Sequence, residues 1–142
     1  MGEKNDCLKL ENQMCFPLYA AAREVVKLYR PHLDKLNLTY TQYIAMMVLW
    51  ERGQCSVKEL GEKLCLDSGT LTPVVKSLEQ KGFVRRFRSS EDERVLLVEL
   101  TDSGRSLSDS ARDIPERVGA CLNLTPEEGA VLHGLLYKIL GR

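Results

Sequence analysis

This chain has no net charge: its 142 residues carry 20 Lys+Arg against 20 Asp+Glu. The overall balance therefore points to neither a nucleic acid nor a membrane surface. No apolar run approaches the ~20 residues of a membrane span, and the opening MGEKNDCLKL has no apolar signal core. A cytoplasmic protein with no membrane partner is expected. No CxxC, HxxxH or HExxH spacing occurs, and the only histidines are His32 and His133, so no metal site is expected. Gly69 and Gly82 form no phosphate-cradling loop with a lysine, and no cofactor is implied. Five cysteines, an odd number, do not make a secreted disulfide framework. They are structural or reactive thiols. Internal repeats and low-complexity segments are also missing. What remains is a chain of one-domain length, 44% hydrophobic, with enough apolar residues for a core.

The apolar spacing predicts helices for most of the length. In LENQMCFPLYAAAREVVKLYR, Leu18, Ala21, Ala22, Val25, Val26 and Tyr29 recur at helical period. Pro17 suits the first helical position, with Phe16 or Cys15 as cap, and the helix is expected to stop before Pro31. A short helical piece, HLDKL, follows. Thr39 and Gln42 have capping-box spacing ahead of TQYIAMMVLWER, which Gly53 ends. Ser56 and Glu59 repeat the signature before VKELGEKL, whose Val57, Leu60 and Leu64 share a face. Asp67 caps DSGTLTPVVKSLEQKG, with a stripe of Leu71, Val74, Val75 and Leu78; Pro73 leaves its start open between Asp67 and Thr70. FVRRFR and RVLLVELT read as two strands around the polar turn SSEDE. Thr101 opens a helix to about Leu122, bent or broken at Pro115, and Thr125, Pro126 and Glu128 start the last one. The fold class is mainly α with a small β-hairpin.

A short helix, a tight connection, a second helix and a basic hairpin form the winged helix-turn-helix pattern. The second helix fits a major groove, led by its N-terminal residues. Asp67, Ser68, Thr70 and Thr72 are small polar groups at that end, and Lys76 suits a phosphate. The hairpin carries Arg85, Arg86, Arg88 and Arg94, and a narrow arm can place an arginine in the minor groove. Between Lys58 and Arg94 there are eight Lys/Arg and seven Asp/Glu, so segregation of charge matters more than its sum. Asp92 and its acidic neighbours lie at the turn and can hold Arg94. The plain alternative is a solvated, mixed-charge hairpin in an α+β domain.

Residues 56–104, SVKELGEKLCLDSGTLTPVVKSLEQKGFVRRFRSSEDERVLLVELTDSG, resemble the MarR family of dimeric winged-helix regulators, with Asp92 to Thr101 similar to its wing signature. LDSGTLTP, LENQMCFPLY and LTYTQY resemble a narrower branch, the organic hydroperoxide resistance regulators. The likeness covers nearly the whole chain. It implies one MarR-type domain over residues 1–142: dimerisation helices at 10–36 and 102–142, and a winged helix-turn-helix at 39–101. It implies a redox-sensing repressor, not an enzyme, whose reduced homodimer binds a palindromic double-stranded DNA operator and leaves it when organic hydroperoxide oxidises one cysteine. Cys15 falls on the sensing cysteine, and Tyr29 and Tyr40 on the tyrosines that hydrogen-bond its thiolate. Asp67, Ser68, Thr70 and Lys76 fall on the recognition helix, and Arg86 and Arg94 on the wing. Ser77 departs from the basic residue frequent in relatives. Cys121 is the candidate resolving cysteine; its plain alternative is a buried interface thiol.

The chemistry around Cys15 runs the same way. A helix N-terminus favours a thiolate, as do donated hydrogen bonds, and a thiolate attacks peroxide to give a sulfenic acid. Arg23 is a third, weaker candidate. Phe16, Leu18 and Tyr19 would make an apolar entrance for organic hydroperoxides. Tyr29 stands fourteen residues further on, ~21 Å along a straight helix. A tyrosine contacting the thiol must then come from a second chain. Val131, Leu132, Leu135, Leu136 and Ile139, joined by Val25 and Val26, exceed what a small lobe can bury, so a homodimer is expected. Cys55, at a turn, and Cys65, at a helix end, read as structural thiols; Cys7 falls in an N-terminus expected to be mobile. Two other readings stay open: a MarR-type repressor released by a small aromatic ligand with Cys15 structural, and a thiol peroxidase using Cys15.

Overall fold

The structure, a computed structural model, describes residues 3–142. Among these, seven α-helices run in the order α1 Cys15–Asp34, α2 Tyr40–Arg52, α3 Val57–Leu64, α4 Ser68–Gln80, α5 Asp102–Ala111, α6 Ile114–Cys121 and α7 Pro126–Leu140. Three strands, β1 Gln54–Ser56, β2 Val84–Arg88 and β3 Leu96–Leu100, form one antiparallel sheet in the order β1-β3-β2. The chain divides into two compact units: residues 3–28 with 113–142, and Tyr29–Arg112.

The Tyr29–Arg112 unit holds the main core. Tyr43, Ala45, Met46, Val48 and Leu49 of α2, Leu60 of α3, and Leu71, Val75 and Leu78 of α4 are buried. Val84, Val98 and Leu100 of the sheet are buried as well. The sequence signals for these helices hold. Thr39 and Ser56 each form a complete capping box, with Gln42 and Glu59 as the returning side chains. Such a cap stabilises a helix by about 1 kcal/mol. Gly53 ends α2 at φ 77° and Asp67 caps α4 by accepting from the Thr70 N–H. The start of α4, left open by Pro73, is Ser68. The N–H that Pro73 lacks would have met the carbonyl of Gly69, which is exposed and open to water.

Expectations for both ends of α1 and for the hairpin are corrected. α1 does not stop before Pro31 but carries it inside its last turn and absorbs the HLD of the expected separate piece. Leu33, 2% exposed, anchors that turn in the core. The chain closes behind it through Leu36 N–H and Leu38 N–H onto the Leu33 carbonyl. Burial of one leucine outweighs a missing hydrogen bond on an exposed face. At its other end α1 begins at Cys15, two residues before Pro17. The hairpin is also joined by a third strand: β1 pairs with β3, Cys55 opposite Val98. Cys55 is therefore a buried strand residue rather than the cap of a turn. Three residues are too few for alternation to be visible. The N-terminal segment forms 3-10 turns at Glu3–Leu8 and Leu10–Asn12. The Gln13 side chain ties them by donating to the carbonyls of Cys7 and Lys9.

The other unit contains the first part of α1, with α6 and α7. The break expected at Pro115 is real: α5 ends at Ala111, and Pro115 sits in the first turn of α6. Thr125 and Glu128 cap α7 with a third capping box. Within this unit Ile114 and Val118 are buried, but α7 buries no residue at all. Val131, Leu132, Leu135, Tyr137, Ile139 and Leu140 all stand exposed along it.

Gly104 fixes the junction between the sheet and α5. A Cβ there would lie 2.0 Å from the Phe83 carbonyl oxygen. Its own carbonyl accepts the Trp50 indole N–H at 2.9 Å. Gly104→Ala should destabilise the chain by at least about 2 kcal/mol, read as a lower thermal midpoint; an unchanged midpoint would remove this close approach from the account.

Candidate functional site

α3 and α4 meet through a tight left-handed corner. Cys65 caps α3 at φ 57°, and a Cβ on Gly61 would come within 2.9 Å of the Leu66 carbonyl oxygen. Leu71, Val75 and Leu78 then turn one face of α4 into the core. The opposite face, with Ser68, Gly69, Thr70, Thr72, Pro73 and Lys76, is exposed.

These polar groups differ in how free they are. The Asp67 carboxylate accepts the Thr70 N–H at 2.7 Å, and the Thr70 hydrogen bonds hold it below the usual carboxylate range. The Thr72 hydroxyl donates to the Ser68 carbonyl at 2.7 Å. Asp67 and Thr72 thus stiffen the helix end. Among the described residues the Lys76 ammonium has no hydrogen-bond or ion-pair partner.

The arginines of the hairpin also separate. β2 pairs with β3 so that Arg86 lies opposite Val98 and Arg85 opposite Glu99. The period of two places Arg86 on the same face as buried Val84. It meets Glu79 of α4 there: the Arg86 N–H donates to Oε2 at 2.8 Å and its guanidinium to Oε1 at 3.0 and 3.2 Å. These bonds, the backbone one first, hold the Glu79 carboxyl below its ordinary range. Arg85 pairs with Glu99 and lies over the Phe87 ring. Arg94 stands at the tip, its side chain 91% exposed. Asp92 grips it as expected, accepting from the Arg94 N–H and from Nε, both at 3.1 Å. Arg88 is exposed at the end of β2. Among the described residues Lys76 and Arg88 are thus unpaired cations on the exposed face of α4 and at the end of β2, and Arg94, paired with Asp92 but largely exposed, stands at the wing tip.

A second constellation lies on α1 and α2. The rings of Tyr29 and Tyr40 are 5.0 Å apart, those of Tyr29 and Tyr43 5.5 Å, and Tyr43 leans on Trp50 at 6.3 Å. Burial pushes the phenols of Tyr29 and Tyr40 up, and burial with its two neighbours pushes Tyr43 to about 12. All three stay protonated at neutral pH and remain donors. Tyr43 was not singled out from the sequence, although its i+3 spacing from Tyr40 puts both on one helix face.

The five cysteines are free thiols. Cys15 is exposed at the first residue of α1, where first-turn N–H groups lack helical partners. Arg23, the weaker candidate cation, lies over the Tyr19 ring at 5.6 Å. Burial pushes the Cys55 thiol up, which suits the structural role read for it. Cys121 is exposed on α6, 3.4 Å from the Arg117 carbonyl. Among the described residues no three His, Cys, Asp or Glu gather as a metal would need, and no helix is long and apolar enough to cross a membrane.

A brace helix, a second helix with an exposed polar face and a basic hairpin beside it define a winged helix-turn-helix regulator. Comparison with known proteins gives the same class. Residues 27–111 match the family described as "Transcriptional regulator SarA/Rot". The organic hydroperoxide resistance transcriptional regulator of Bacillus subtilis (strain 168) is 51% identical over 99% of this chain and 95% of its own. AbfR of Staphylococcus epidermidis, solved in reduced and overoxidised forms bound to DNA, is 33% identical. It superposes at a TM-score of 0.79 in both, covering 97% of this chain and at least 96% of its own. AbfR has also been solved with a disulfide formed, at 0.67. A cysteine-to-serine mutant of MarR from Escherichia coli, complexed with operator DNA, superposes at 0.78, with 26% identity over 89% of this chain and 93% of its own. The chain belongs to the MarR-type winged-helix transcriptional regulators, in the organic hydroperoxide resistance branch.

Arg94→Ala should weaken operator binding at least ~10-fold and lower the salt slope by ~1 per lost phosphate contact. Titrations at several salt concentrations check it; unchanged affinity and slope would take the wing tip off the DNA.

Proposed function

We propose that this protein is a redox-sensing repressor that acts as a cytoplasmic homodimer and does no enzymatic turnover. The whole chain is one regulator domain: residues 39–101 read the DNA, and 10–36 and 102–142 join two copies. The reduced dimer binds a palindromic double-stranded operator. Ser68, Thr70 and Lys76 face the major groove, with Asp67 and Thr72 setting the helix end. Arg94, steadied by Asp92, enters the minor groove. Arg86 works through Glu79, fixing the wing to α4.

The observation that carries the reading is an exposed thiol at the first residue of a helix that is unbroken to Asp34. Cys15 and Tyr29 lie fourteen residues apart on it, ~21 Å at 1.5 Å per residue. The tyrosine cluster therefore serves the partner subunit's Cys15, and the unpartnered apolar face of α7 supplies a reason for two copies to join. The thiolate attacks one peroxide oxygen, the O–O bond breaks, and the other oxygen leaves as the alcohol after protonation. Cys15 becomes a sulfenic acid. Charge-assisted bonds from Tyr29 and Tyr40 to the thiolate, worth ~1.5–3 kcal/mol each, are lost or rearranged. The sulfenic acid then condenses with the Cys121 thiol or with a small thiol, releasing water. The oxidised dimer leaves the operator.

Cys15→Ser should bind the operator as wild type does and stay bound after organic hydroperoxide, read by gel shift with and without a dithiol. Release of this variant by peroxide would place the sensor elsewhere. Tyr29→Phe and Tyr40→Phe should blunt the response without abolishing it. If Cys121 resolves the sulfenic acid, oxidised wild type should run as a disulfide-linked dimer on non-reducing gels and Cys121→Ser should not. If wild type forms no such dimer, a small thiol caps Cys15 instead. Sedimentation at micromolar concentration should give a dimer.

A further inference from the structure

Gln42 is the one buried polar side chain among the described residues, 6% exposed. Its capping role uses only part of its bonding capacity. Oε1 accepts the Thr39 N–H at 3.1 Å as the capping box requires, and also the Lys81 ammonium at 2.8 Å. Nε2 donates to the Ser77 hydroxyl at 2.9 Å. Lys81 reaches further, donating to the Asn37 carbonyl at 2.6 Å. Asn37 lies in the turn between α1 and α2, at φ 56°.

The two ends of this network belong to the two constellations described above. Gln42 sits between Tyr40 and Tyr43 on the first turn of α2, and Tyr29 closes on both rings. Ser77 lies in the last turn of α4 and Lys81, four residues on, is its C-cap, at the opposite end of the helix from Ser68 and Thr70. Breaking either side of a buried amide engaged through both its oxygen and its nitrogen would leave an unsatisfied buried group. A contact with that penalty for breaking can carry coupling between the segments it joins.

We propose that Gln42 is the positioning residue that transmits the state of the Tyr29–Tyr40–Tyr43 cluster to α4 through Ser77 and Lys81. This rests on the reading of Cys15 as the sensor. When the tyrosines rearrange around the oxidised thiol, the first turn of α2 moves. The amide then pulls on the end of α4 or releases it. Gln42 touches neither peroxide nor DNA.

The test compares operator Kd before and after organic hydroperoxide in the full-length protein, together with sulfenic-acid trapping at Cys15 by mass spectrometry. Gln42→Leu should show a peroxide-induced rise in Kd at least ~5-fold smaller than wild type, with Cys15 oxidised as fast. Gln42→Glu should restore the wild-type ratio: its carboxylate still accepts from Lys81 and Thr39, and the Ser77 hydroxyl can donate instead. Ser77→Ala, at a half-buried site, cuts the same link and should lower the ratio too; it decides the matter if Gln42→Leu does not fold. Because the readout is a ratio, any change in basal DNA affinity cancels. Variants released as fully as wild type would overturn the assignment to Gln42. A wild type that peroxide never releases would overturn the Cys15 reading and this one with it.

Discussion

Leu71, Val75 and Leu78 leave α4 one way to sit. Their side chains are within 1% of complete burial, and each is worth roughly 1.5–3 kcal/mol of transfer free energy. Rotating the helix to bury another face would strand these three in water and bring Thr70, Thr72 and Lys76 inside. The polar face of α4 is thus exposed because the apolar face cannot be. DNA binding by this fold depends on that constraint, since a reading helix must be rigidly held from behind and bare in front.

Two polar clamps refine what burial begins. Glu79 binds Arg86 through the backbone and the guanidinium together. Gln42 binds Ser77, and Lys81 bridges Gln42 and the Asn37 carbonyl. Both act on the C-terminal half of α4. Neither adds much stability, because partly exposed ion pairs are screened and an exchanged hydrogen bond is worth only about 1 kcal/mol. Their value is geometric: apolar burial fixes which face is inward, whereas directional bonds fix the angle of the helix to the wing and to α2.

Charge follows the same logic of subtraction. The hairpin carries four arginines, but Arg85 and Arg86 are matched by Glu99 and Glu79. Arg94 is steadied at the tip by a carboxylate that leaves it largely exposed. A chain with no net charge can still expose cations locally where its acids pair with neighbouring arginines, as Glu79 and Glu99 do on the hairpin.

The sequence by itself determined the class of fold and, α1 apart, the helices and their caps. These depend on short-range rules: a residue three positions on completes a cap, apolar residues at 3.6-residue period mark a buried face, and alternation marks a strand. Thr39, Ser56, Thr101 and Thr125 each begin a helix where those rules place it. The resemblance also brought Cys15, Tyr29, Tyr40 and the tip arginine to notice. The tertiary structure decided what depends on partners distant in sequence. It carried α1 through Pro31, because Leu33 found the core. It paired three residues around Cys55 with β3, an edge too short to show alternation. It turned Arg86 toward Glu79 and brought Gln42 to Ser77, thirty-five residues away. Local spacing records the preferences of the backbone, whereas a side chain's partner is settled only when packing brings distant segments within hydrogen-bond reach.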